Sequence, residues 1–176
     1  MMLLRDAPRT AAVWRCERGG TGWPGALDAL RDAPRELWLR GEALPAAERA
    51  VAIVGSRTAT AYGLTLAQRL ARDLASHGVT IVSGLAHGID AAAHRGALEA
   101  SGRTVAVLAS GVTCPTPADH GELADRVIAS GTLVSERRDG GPFGRGAFVR
   151  RNRIIAALAA VTVVVEASAA RSEEHT

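Results

Sequence analysis

From residue 50 onward the chain alternates between short apolar runs and longer stretches in which apolar residues return every three or four positions. Val51-Ala52-Ile53-Val54 closes on Gly55, the pattern of a strand buried on both faces. Over 61–77, Leu64, Ala67, Ala71 and Leu74 share one face, Gln68, Arg69, Arg72 and Asp73 lie elsewhere, and Gly78 supplies the stop of a helix. The cycle then repeats. Strand 79–83 feeds a helix over 89–100, strand 104–108 a helix over 118–129, and strand 132–135 a helix over 150–159, with a last strand at 161–165. All-apolar strands alternating with helices predict an α/β fold: a doubly wound, mostly parallel, Rossmann-like sheet covered on both faces. Ligands of such sheets sit beyond the carboxyl ends of the strands. Here those ends carry Gly55-Ser56-Arg57, Ser83-Gly84-Leu85-Ala86-His87-Gly88, Ser110-Gly111 and Ser135-Glu136.

Residues 1–49 lack this rhythm and read as an irregular lead-in to a domain over 50–170, with one helix at 25–31 and a short strand at 36–40. The lead-in contains a literal GxGxxG, Gly20-Thr21-Gly22-Trp23-Pro24-Gly25. It is rejected as a dinucleotide site because no strand is expected before it, a proline interrupts it and no long helix opens from it.

Composition narrows the chemistry. The chain has 176 residues, 47% of them hydrophobic, enough for a packed core. No apolar run reaches membrane-spanning length and no secretory signal opens the chain. Cys16 and Cys114 are far apart and form no CxxC pair, as expected of a reduced cytoplasmic protein without a thiolate zinc site. All 21 basic residues are arginine, which excludes a P-loop lysine, a Schiff-base lysine and a pyridoxal-phosphate anchor. No cofactor and no metal is expected.

Three constellations carry the candidate chemistry. Gly55-Ser56-Arg57, with Thr58 and Thr60 just before a helix, suits an anion: free N–H groups and a guanidinium converge there. The alternative is a turn capped by Thr60 with Arg57 in solvent. In the second, Gly84 and Gly88 permit close backbone approach, and Asp90 can cap the next helix or hold Arg57. His87, Asp90 and His94 have helical spacing for a metal, but His94 reads better as a packed, hydrogen-bonded histidine. A Ser83–His87–Asp90 hydrolytic triad has no geometric support. The third is the window 137–153, with Arg137, Arg138, Arg145, Arg150, Arg151 and Arg153 against the single acid Asp139. With four glycines and with Phe143 and Phe148, it suits the phosphates and bases of single-stranded nucleic acid. Phe148 buried as a helix staple is the alternative.

Three ordered motifs then converge on one family. Val51-Ala52-Ile53-Val54-Gly55-Ser56-Arg57 with Tyr62-Gly63, Ser83-Gly84-Leu85-Ala86-x-Gly88-Ile89-Asp90 with Ala93-His94, and Phe148-x-x-Arg151-Asn152-Arg153 closely resemble the DprA/Smf family of bacterial DNA-processing proteins of natural transformation. The lead-in Trp23-Pro24, Leu27, Leu37-Trp38 and Gly41 is similar to the segment preceding that family's domain, so the resemblance covers residues 22 to about 168. It implies an extended Rossmann fold and sequence-independent binding of single-stranded DNA. It also implies loading of the RecA recombinase, a homodimer, and no catalytic turnover. Carried onto this chain, the expected DNA- and phosphate-binding residues are Gly55, Ser56, Arg57, Ser83, Gly84, Gly88, Arg145, Phe148, Arg151, Asn152 and Arg153, with Asp90 and His94 as support.

Two departures and one competitor complete the reading. The family's Ser-Gly-Ser-Leu-x-Thr-Ala stretch and its N-terminal helical module do not occur, and Arg171-Ser172-Glu173-Glu174-His175-Thr176 reads as translated sequencing adapter. The chain is therefore expected to be a fragment whose sheet is incomplete at the C-terminus, leaving an exposed edge at 161–165. The competing class is a nucleoside-monophosphate phosphoribohydrolase, or a nucleotide-binding regulator of the same superfamily. The hydrolase's Pro-Gly-Gly-x-Gly-Thr loop is missing, and Glu136 and Glu166 follow no such loop.

Overall fold

The computed structural model describes residues 11–142 and 144–167. Its strands are β1 (Val13–Glu17), β2 (Glu36–Gly41), β3 (Ala50–Gly55), β4 (Thr80–Ser83), β5 (Thr104–Val107), β6 (Thr132–Ser135) and β7 (Val161–Val165). The helices are α1 (Ala61–Ser76), α2 (Ile89–Glu99), α3 (Gly121–Ser130) and α4 (Arg145–Ala157). All seven strands join one sheet in the order β1-β2-β6-β5-β4-β3-β7, parallel from β6 through to β7 and antiparallel at β1 and β2. From β3 the chain steps outward to β6, then returns through α4 to lay β7 beside β3. The doubly wound, mostly parallel α/β fold expected from the alternation is the fold observed.

The sheet is covered on both faces. Ile53 and Ile81 pack under α1 and α2, and Ala106 and Leu133 under α3. On the opposite face Ala52, Val82, Val105, Val107 and Val134 meet Ile154, Ile155 and Leu158 of α4, together with Leu27, Leu37 and Leu39. Each such valine, leucine or isoleucine side chain contributes roughly 1.5–3 kcal/mol by leaving water. At the β7 edge, Val161 and Val164 are exposed. Among the described residues no helix is long and apolar enough to cross a membrane.

Several expectations are corrected. The lead-in is not irregular: β1 and β2 belong to the same sheet, with Leu39 paired to Val134 and Cys16 to Leu37. A strand does precede the GxGxxG segment, but only a five-residue 3-10 turn, Gly25–Ala29, follows it, so the dinucleotide reading still fails. The segment 118–129 divides into a 3-10 turn, Ala118–His120, and α3. Helix α4 begins at Arg145 rather than Arg150, because Gly144 and Gly146 disguise a first turn whose residues are otherwise helix-compatible.

Candidate functional site

The carboxyl end of β3 is built by close backbone crossings. A Cβ on Gly55 would stand 1.8 Å from the Val165 carbonyl oxygen, and one on Gly88 2.2 Å from the Ser56 carbonyl oxygen. Gly88 also lies at φ +73°, a region that side chains rarely adopt. Two backbone bonds lock the junction: Ser56 N donates to Glu166 O at 2.8 Å, and Ile89 N to Ser56 O at 3.1 Å. Ser56 Oγ accepts from Thr58 N at 3.2 Å.

This rigid corner presents Arg57 at the surface, and its Cζ lies 4.5 Å from the ring centroid of Phe148 on α4. A guanidinium over an aromatic face is held by the ring quadrupole. Two residues ninety-one positions apart in the sequence thus form one stacked unit.

Beneath that pair lies a buried charge. Arg151 is 5% exposed and its Nη1 donates to the Val107 carbonyl oxygen. Its guanidinium occupies the space that a side chain on Gly84 would fill. Asp90 is equally buried; burial pushes its carboxyl above the ordinary range, and the charges of Arg151 and Arg57 with the Ala86 N–H pull it back. Burial likewise pushes Arg151 down, yet a guanidinium stays charged in a protein. His94 is fully buried, with Nδ1 2.7 Å from Thr104 Oγ1. Burial first, then the Arg151 guanidinium, drives its pKa down to about 3, so it is neutral. Because the Thr104 hydroxyl donates to Ile81 O at 2.9 Å, His94 Nδ1 must be the donor to Thr104.

These positions redistribute the sequence-derived site. Ser83 is fully buried and donates from Oγ to Ile53 O at 2.6 Å, so it fastens β4 to β3 rather than facing a ligand. Arg151 lies below the surface, not along it. Arg153 donates from Nε to Asp32 and from Nη2 to Glu136, each at 2.7 Å, and two carboxylates neutralise it. That hydrogen bond holds the Asp32 carboxyl below its usual range. Asn152 and Arg150 are exposed. Phe143 and the side chain of Arg145 lie outside the described residues. A cleft of about 500 Å³ opens between the ends of β5 and β6 and the start of α4, lined by Ser135, Arg137 and Arg150 among others.

One anchoring contact escaped the sequence reading. Thr60 caps α1, as its Oγ1 accepts from Gly63 N at 3.1 Å, but the anion at this helix start is internal. Glu166, just past β7, accepts from Thr60 N at 2.9 and 3.1 Å and from Thr60 Oγ1 at 2.9 Å. The parallel sheet reverses its order between β3 and β7, where a doubly wound fold offers its ligand crevice. At that point the Glu166 carboxylate accepts from Thr60. A sequence signal existed only in hindsight: an acid directly after the last apolar strand.

Comparison with known proteins places the geometry. Residues 16–172 match the family model described as DNA recombination-mediator protein A. The chain is 49% identical over 137 residues to a putative DNA processing protein DprA of Mycobacterium tuberculosis, covering 77% of this chain and 35% of that protein. It thus spans about a third of that relative's length. Among solved structures, DNA processing protein A of Streptococcus pneumoniae superposes with a TM-score of 0.79 at 31% identity, covering 92% of this chain and 56% of the other. The corresponding protein of Helicobacter pylori, whose structure is described for its single-stranded DNA binding mode, gives 0.78 at 29% identity, covering 91% and 72%.

Proposed function

The chain belongs to the DNA recombination-mediator protein A family, and from that premise we propose that it binds single-stranded DNA along the carboxyl edge of its sheet. The observation that carries the reading is the Arg57–Phe148 stack: a phosphate-seeking guanidinium and an aromatic face, held together on a rigid corner. Arg57, Phe148, Asn152 and the exposed Arg150 form the proposed contact surface, with Gly55, Ser56 and Gly88 shaping the corner. Arg151, Asp90, Ser83, Gly84 and His94 support it from below, and Arg153 fastens α4 to the lead-in. Phosphate contacts dominate in such an arrangement, so sequence preference is small. The Helicobacter pylori relative, described as a single-stranded DNA binder, supports the same reading. Handing the bound strand to RecA, and acting as a homodimer in the cytoplasm, extend the proposal to the properties of the family. The phosphoribohydrolase alternative is disfavoured by the missing Pro-Gly-Gly-x-Gly-Thr loop, and at the start of α1 Thr60 already donates to the protein's own Glu166.

The test is a fluorescence-anisotropy titration of an oligo-dT strand at a series of salt concentrations. Affinity is expected to fall by roughly 0.7 log units per neutralised phosphate for each log unit of salt. Arg57→Ala should weaken binding about fivefold, reduce that slope by about one contact and leave the melting temperature unchanged. A flat salt response, tighter binding to duplex, or wild-type affinity in a folded Arg57→Ala protein would overturn the reading.

A further inference from the structure

Two loops at the carboxyl end of the sheet bring together residues that take no part in the Arg57–Phe148 stack. The loop after β4 carries His87, and the 3-10 turn before α3 carries Asp119 and His120. The imidazole rings of His87 and His120 lie with centroids 4.6 Å apart and planes at 63°. His87 Nε2 is 3.7 Å from Asp119 Oδ1. One donor atom from each of the three residues lies within 4.8 Å of the others.

The orientation of His120 makes this more than a surface ion pair. Its ring is buried, with Nδ1 2.9 Å from the Leu85 carbonyl oxygen. A carbonyl can only accept, so Nδ1 carries the proton and a neutral His120 keeps its lone pair on Nε2. Metal-binding histidines are commonly oriented this way, one ring nitrogen fixed by a carbonyl and the other left to the ion. Leu85 is fully buried and held at φ +61°, a strained conformation for leucine, while its carbonyl holds His120. His87 and Asp119 have side chains 52% and 68% exposed, free to close the remaining distance. An ion pair of His87 with Asp119 alone gives no role to this fixed third group.

We propose that His87, Asp119 and His120 form a binding site for a divalent transition-metal ion of the zinc class. Two imidazole nitrogens and one carboxylate suit zinc or cobalt, whereas magnesium and calcium take oxygen ligands. Three protein ligands leave a fourth position open to water or to an anionic oxygen. The ion joins the β4–α2 loop to the turn before α3. Because Gly88 packs against the backbone of Ser56 and Arg57, this pinning reaches the corner that presents Arg57. The helical trio of His87, Asp90 and His94 considered from sequence is not this site: Asp90 and His94 are buried among their own supports.

The experiment uses untagged, chelator-stripped protein titrated with Co²⁺ and then with Zn²⁺. The wild type should develop the visible absorption of four-coordinate cobalt, lose it to about one equivalent of zinc, and melt at a higher temperature with zinc than without. His87→Ala, at a half-exposed position, should melt like the wild type in chelator, yet bind cobalt about tenfold more weakly or worse and gain no zinc stabilisation. Asp119→Asn should weaken both effects. Cys114→Ser, which removes the exposed thiol, should change neither. Absent cobalt bands, an undiminished zinc shift in His87→Ala, or bands that vanish only in Cys114→Ser would each overturn the site.

Discussion

At the scale of single residues, the site separates charges meant for solvent from charges built into the core. Arg57 is exposed and rests on Phe148, whereas Arg151 is buried opposite Asp90 and bonded to a main-chain carbonyl. Arg151→Ala removes the cation and leaves the Asp90 carboxyl buried without it, a change expected to cost about 3–5 kcal/mol. Urea unfolding should report that loss, and DNA binding should fail only as the fold does. His94 sets a pH dependence of definite sign. Its ordinary pKa of 6.5 falls to about 3 in the folded protein, so between those values the unfolded chain binds the extra proton. Stability is therefore full above about pH 6.5 and declines as pH falls through the window, by up to about 1.4 kcal/mol per pH unit. Asp90, shifted upward, works in the opposite direction in acid and offsets part of this loss. His94→Asn can still donate to Thr104, and it should flatten the fall in urea midpoint between neutral pH and about pH 5.

At the scale of elements, helix starts and strand ends do the positioning. Helix α1 is anchored twice, by Thr60 and by Glu166 arriving from the end of β7 across 106 residues. A carboxylate on free N–H groups at a helix start is favourable through both hydrogen bonding and the helix dipole. Glu166→Ala should lower stability by about 0.5–2 kcal/mol in urea unfolding. It should also speed hydrogen exchange in the first turn of α1, while exchange in α3 stays as it was. The first turn of α4 was hidden from sequence reading because Gly144, Arg145 and Gly146 have the composition of a loop. What makes that turn helical is the anchoring of the following residues, Ile154, Ile155 and Leu158, in the core. The consequence is functional: Phe148 stands on a helix rather than in a mobile loop, which fixes it under Arg57.

At the scale of the whole molecule, Arg153 ties the lead-in to the sheet by bridging Asp32 and Glu136, with its side chain only 15% exposed. Arg153→Ala should lower the melting temperature by a few degrees while leaving the DNA salt slope intact, the reverse of Arg57→Ala; calorimetry beside anisotropy separates the two. The alternation of apolar runs and amphipathic stretches was enough to determine five strands and four helical regions, because burial on one or both faces writes itself into local periodicity. The glycines at 55 and 88 were legible for the same reason, since close backbone crossings tolerate no side chain. The strand β1 was not legible. Its charged Arg15 and Glu17 flank a single buried Cys16, and only pairing with β2 makes it a strand. Nor could the sequence rank its arginines, which look alike until packing sends Arg57 to the surface, Arg151 into the core and Arg153 between two acids. Local pattern encodes which face of an element is buried. Which charge meets which partner depends on contacts between residues distant in the chain, and those exist only once the sheet has brought β3, β7 and α4 together.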